Sequence, residues 1–145
     1  TTISVLEGLW DYEQAYPDSE VIQDVRDKQN EGIEFLLQHH LYKSNTTWKP
    51  VDVRMSKLCF PPRWHFDILR GLDYFQDRNV SRDARMNDAV DLLLGKRTEN
   101  GRWKLELKYP GKVFFDFERV GKESRWNTLR ALRVLKWWQE ARPGF

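Results

Sequence analysis

The feature that most constrains this chain is that it repeats itself. Leu6-Glu7-Gly8-Leu9-Trp10-Asp11-Tyr12 returns as Leu69-Arg70-Gly71-Leu72-Asp73-Tyr74-Phe75, 63 residues on, and again as Leu129-Arg130-Ala131-Leu132-Arg133-Val134-Leu135 after a further 60. A second element, Glu31–His40, returns at Asp88–Arg97 with an offset of 57. Each copy is followed by a tryptophan, Trp48 and then Trp103, 55 apart, and Arg63-Trp64 matches Arg125-Trp126 at 62. Four elements recurring in one order at nearly one period define a structural module. A module of that length cannot bury its apolar side alone, so neighbouring copies must stack.

The apolar spacing inside each unit is helical. First helices are expected over 2–15, 63–78 and 124–141, and second helices over 19–42 and 82–97. Ile22, Val25, Gln29, Ile33, Leu36 and His40 trace one stripe, which predicts an outer, half-exposed helix. In the last helix Leu129, Leu132, Leu135 and Trp138 mark one face, with Ala131, Val134 and Trp137 beside it. Two adjacent stripes predict burial on several sides. Ser19 and Ser81 stand where N-caps are expected, and Pro143-Gly144 ends the last helix. The connections over 43–62 and 98–123 are long enough to carry structure of their own. In the second, Trp103, Leu105 and Leu107 alternate before Pro110-Gly111, and Val113, Phe115 and Phe117 alternate after it, which predicts a short β-hairpin over 103–118. The first has a weaker alternation at Val51, Val53 and Met55. The expectation is an all-α chain of about five main helices forming one domain over 1–145, with that hairpin.

Composition narrows the function classes. A formal charge of +2, with both signs interspersed, gives no basic footprint for nucleic acid. No run of residues has the length and apolarity of a membrane span. Cys59 is the single cysteine, which excludes a disulfide framework and Cys-x-x-Cys chemistry and makes a reducing, cytoplasmic setting the expectation. No cofactor motif is present. The chain opens on Thr1 in mid-pattern, as expected of the C-terminal part of a longer protein.

Asn100-Gly101-Arg102-Trp103, following the helix with Ala89 and Leu92–Leu94, resembles the Gly-x-Trp end of the QW repeat of squalene and oxidosqualene cyclases. Gly32, Phe35 and Gln38 fall in the same order in the earlier copy. Lys96-Arg97 stands where that family has Gln, and the turn at Ser44–Thr47 lacks the Gly. The resemblance, to the terpene cyclase and prenyltransferase α/α-toroids, implies inner and outer helices alternating around an axis. Two and a half units make an incomplete ring, which implies either self-association or the remainder of a longer toroid. The family's catalytic signatures, Asp-x-Asp-Asp, Asp-Asp-x-x-Asp and Asp-x-Cys, are all absent; Cys59 follows Lys57-Leu58.

One cluster remains that carries chemistry: Cys59, Arg63, Trp64, His65, Asp67, Arg70 and Asp73, where a long connection enters a first helix. His65 and Asp67 are the candidate acid and base, and with Cys59 the candidate metal ligands. Equally, Asp67 is placed to cap the helix and Arg70 to pair with a carboxylate of a neighbouring helix. Trp64, His65, Asp67, Arg70, Trp126 and Asn127 are the candidate ligand-binding residues at the rim the resemblance implies. Arg63-Trp64 and Arg125-Trp126 are also suited to Arg-on-indole stacking that ties repeats together. His39-His40 sits at a helix end where positive charge complements the dipole. The run Phe114-Phe115-Asp116-Phe117 either packs the hairpin or presents a partner surface. Three functions are open: a non-catalytic binder of an isoprenoid-like hydrophobic molecule, a piece of an active enzyme, or a structural interaction repeat.

Overall fold

The computed structural model describes residues 2–140. The chain is mostly helical: α1 (Thr2–Ala15), α2 (Ile22–Gln38), α3 (Ile68–Asp77), α4 (Asn87–Gly95) and α5 (Arg125–Glu140), with one two-stranded sheet of β1 (Trp103–Lys104) and β2 (Glu123–Ser124). The Pro143-Gly144 helix stop lies outside the described residues. No helix among the described residues is long and apolar enough to cross a membrane.

Polar contacts between helices fix their directions. Arg70 of α3 pairs with Glu7 of α1 (Nε to Oε1, 2.9 Å), and Arg78 reaches Glu13 (3.5 Å) and lies 4.1 Å over the Trp10 ring. Arg130 of α5 pairs with Asp73 of α3 (3.0 Å), while Arg133 bonds Gln76 (3.0 Å) and Asp77. Residue numbers rise together along each contact, so α1, α3 and α5 run parallel in a row. Within the first pair the numbers oppose: Arg26 and Gln29 of α2 meet Glu13 (2.8 and 2.9 Å), while Gly32 faces Leu6. The second helices are tied in turn. Arg85, just before α4, holds Glu34 of α2 (2.8 Å), and His40, just after α2, holds Asp88 of α4 (2.8 Å).

The α2 stripe behaves as its spacing predicts. Val25, Gln29, Ile33 and Leu36 are buried against α1, and Gln29 tolerates full burial by donating to Glu13 and the Leu9 carbonyl. At Gly32 the helices approach closely: a Cβ there would stand 2.7 Å from Leu6 Cδ2, so the Leu6 side chain would have to shift. The helix buried on most sides is α3, with Ile68 through Leu72, Tyr74 and Phe75 all in the core. The same was expected of α5 and is not found. Its buried face is Asn127, Arg130, Ala131, Val134, Leu135 and Trp137, while Leu129 and Leu132 are 52% and 46% exposed. Among the described residues α3 packs against both α4 and α5, whereas α5 has α3 as its main helical neighbour and otherwise meets the short strands β1 and β2.

The second connection departs from the expected hairpin over 103–118. Trp103 pairs with Ser124 and Lys104 with Glu123, and Leu105 continues the ladder by donating to the Lys122 carbonyl (2.9 Å). The return is made at Gly121 (φ 83°), not at Pro110-Gly111. The reason is at the helix start. Ser124 Oγ accepts from the Asn127 amide (2.9 Å), so the residues that begin α5 are the ones that pair with Trp103. On its other side the 103–107 arm meets the first connection, with Glu106 and Leu107 donating to the Leu58 carbonyl (2.9 and 3.2 Å). Residues 108–118 are thereby left as a loop outside the sheet.

Three smaller expectations also change. Val51–Met55 forms a 3₁₀ turn over Val53–Ser56, started by Asp52 accepting from the Arg54 amide (2.8 Å). Asp83 rather than Ser81 caps the 3₁₀ turn Ala84–Met86 that leads into α4. The residue at the N-cap of α2 is Val21, whose side chain makes no cap bond, and the Ser19 hydroxyl is shared with Tyr12 OH (2.9 Å). The core is one continuous cluster from Ile3 and Leu6 through Leu69, Phe75 and Leu93 to Trp103, Val134 and Trp137.

Candidate functional site

The entry to α3 is built around Asp67. Its backbone is extended and its side chain is fully buried. One carboxylate oxygen, Oδ1, accepts from the Arg70 amide (2.9 Å), which is N-cap geometry. The other, Oδ2, accepts from the Cys59 amide (3.0 Å) and from the Cys59 thiol (2.9 Å). Burial, and then the Asp67 charge, pushes the Cys59 thiol up, which keeps it protonated and a donor. Both carboxylate oxygens are therefore engaged by the protein itself.

Arg70 is likewise committed. Its guanidinium bonds Glu7, the His65 carbonyl (2.7 Å) and Ser4 Oγ (3.3 Å). Asp73, on the same helix, is taken by Arg130. Asn127 is fully buried on α5, donating to the Lys104 carbonyl (3.2 Å). The His65 ring is engaged by aromatic neighbours. Its ring lies flat on Tyr109 (centroids 3.3 Å, planes 6° apart), with Trp64 on its other flank at 5.0 Å. Burial and the nearby Arg54, Arg63 and Arg70 charges hold its pKa below the ordinary histidine value, favouring the neutral ring. Cys59 and Asp67 are thus brought together and His65 is not, and among the described residues no three His, Cys, Asp or Glu side chains converge in a metal-holding group.

The two Arg-Trp dipeptides do not stack as expected. Trp64 is 66% exposed, Arg63 turns to the Pro110 carbonyl (3.3 Å), and Trp126 lies instead on Phe60 (centroids 5.1 Å, planes 9° apart). Guanidinium-on-indole packing is supplied elsewhere, by Arg82 over Trp137 (5.0 Å), Arg97 over Trp103 (5.8 Å) and the Arg78–Trp10 pair. His39 is the C-cap of α2, with Nδ1 at 2.8 Å from the Lys43 carbonyl. His40 makes a link between units through Asp88 that its sequence position does not reveal.

Next to this cluster lies a cleft of about 360 Å³ between Phe60–Arg63 and the 108–118 loop. Phe60, Phe117 and Phe115 form its aromatic wall: Phe60 and Phe117 meet edge-on (5.9 Å), and Phe115 and Phe117 are 5.0 Å apart. Tyr109 closes one side and shares its other face with His65. Glu118 anchors the far end of the loop by accepting from the Arg125 amide (2.7 Å) at the start of α5. None of the six ligand-binding residues proposed from sequence lines this cleft. Trp126 and His65 back it through Phe60 and Tyr109, while Asp67, Arg70 and Asn127 lie in the buried framework behind. The signal for the wall was the Phe114–Phe117 run, but its convergence with Phe60 joins segments more than fifty residues apart.

The chain matches no family model, no curated protein and no solved structure.

Proposed function

We propose that this chain binds an apolar, isoprenoid-like small molecule in the cleft between Phe60 and the 108–118 loop, without a cyclisation reaction of its own. The observation that carries the reading is the wall of Phe60, Phe115 and Phe117 around about 360 Å³, a volume within the usual range for small-ligand clefts of roughly 300–1,000 Å³. The parallel row of α1, α3 and α5, with α2 alongside α1 and antiparallel to it, supports the wider reading as an arc of an α/α-toroid. Asp67 argues for binding rather than proton chemistry, because every bond it accepts comes from Cys59 or Arg70. Native mass spectrometry of protein purified from cells tests the proposal. A retained hydrophobic adduct that disappears in F60A/F117A supports it; a clean apo mass after addition of farnesol or a similar prenyl alcohol sinks it.

A second reading, an interaction repeat that self-associates, is favoured by Leu129 and Leu132, exposed one turn apart on α5 with Arg125 and Thr128 alongside. Light scattering of the wild type against L129Q/L132Q tests it: a dimer lost in the variant favours the reading, and a strict monomer at high concentration removes it.

A further inference from the structure

The 108–118 loop presents its apolar side chains outward as well as into the cleft. Phe114 is wholly exposed (107%), Phe115 is 66% exposed, and Val113 is 45% exposed. Around them the charge is unbalanced. Lys108 is neutralised by Asp116, and Arg125 by Glu118 (3.7 Å). Arg63, Lys112, Arg119 and Lys122 make no such ion pair among the described residues. Arg63 and Lys112 line the same cleft as Phe114 and Phe115, and exposed aromatics beside unpaired cations match a surface that is apolar within and anionic at its boundary.

We infer that this loop docks the protein on anionic lipid bilayers, with Phe114 and Phe115 entering the acyl boundary and Lys112, Arg63 and Arg119 meeting lipid phosphates and carboxylates. The shape of the tip favours a bilayer over a protein partner. A stable protein interface needs about 800 Å² per side with complementary packing, which two exposed phenylalanines at the edge of an open cleft do not offer. A bilayer accepts isolated inserted side chains, and its negative surface attracts each nearby cation. Insertion is anchored rather than floppy, because Glu118 ties the loop to the start of α5 and Arg63 ties it to Pro110. The inference goes beyond the ligand reading, since phospholipid vesicles contain no isoprenoid.

The experiment uses the full chain bearing F114C labelled with an environment-sensitive dye; Cys59 is buried and stays unlabelled. Vesicles of phosphatidylcholine alone are compared with vesicles of phosphatidylcholine mixed with phosphatidylserine. The expected result is a blue shift on the mixed vesicles only, reversed by high salt. Co-sedimentation of F114S/F115S and of K112E/R119E is each expected to fall about tenfold or more, with unchanged thermal melting. No shift on mixed vesicles overturns the proposal. So does a shift that appears without vesicles and grows with protein concentration, which would identify a second copy as the occupant. Co-sedimentation unchanged in F114S/F115S also overturns it.

Discussion

The carboxylate of Asp67 receives both the amide and the thiol of Cys59, eight residues earlier in the chain, while capping the helix that follows it. One buried side chain thus closes the loop that carries Phe60 and fixes where α3 begins. D67A leaves three donors unsatisfied in the interior and is expected to cost about 3 kcal/mol, with D67N costing about 1–2 kcal/mol. Urea unfolding of the two variants measures this, and a loss under 0.5 kcal/mol for D67A would contradict the described bonding.

Raised pKa values give a pH dependence with a definite sign. Burial raises the Cys59 thiol above its ordinary value of 9.0, and burial also raises Tyr74 and Tyr109 above 10.0. The unfolded chain releases these protons at their ordinary values while the folded chain retains them. Stability is therefore complete below about pH 9 and declines above it, by at most about 1.4 kcal/mol per pH unit for each group. Urea midpoints at about pH 8 and about pH 10 test the sign, and C59A is expected to flatten the slope.

Arg130 and Asp73 form one of the two most enclosed ion pairs between first helices among the described residues, with side chains 10% and 17% exposed. R130A strands a largely buried carboxylate and is expected to cost about 3 kcal/mol. R133A, whose side chain is 44% exposed, is expected to cost under about 1 kcal/mol. Equal effects in thermal melting would mean that α5 is not held by the inner pair.

Leu132 and Leu135 stand one turn apart on α5 and differ in burial, 46% against 7% exposed. L135A is expected to cost about 2–4 kcal/mol and L132Q less than about 0.5 kcal/mol. If L132Q destabilised a demonstrated monomer as much as L135A, α5 would be buried on both faces, as its sequence pattern alone implied.

Helix content and order were legible because a 3.6-residue rhythm and a repeat both survive in the apolar positions. Burial on one face of α5 was not, since Leu129 and Leu69 are alike in sequence and differ only in what surrounds them. The sheet was misplaced because Pro110-Gly111 is the stronger local turn signal, while the actual register follows Ser124 at a helix start 21 residues from Trp103. At the candidate site, the capping of α3 by Asp67 could be read from spacing. The cleft could not, because Phe60 and Phe117 meet only after both connections have folded back on the arm at 103–107.

The ion pairs across the helix row also have a direction. In every one between first helices, the later helix brings the arginine and the earlier one the acid: Arg70 and Arg78 to Glu7 and Glu13, then Arg130 and Arg133 to Asp73 and Asp77. Thus α3 and α5 are each donors towards the helix before them, and among the described residues α1 and α3 act as acceptors for a successor. Between Arg125 and Gln139, α5 contains no Asp or Glu at all. The chemical arrow stops there, and a helix laid against Leu129 and Leu132 would find no carboxylate along that stretch for its own arginines to seek.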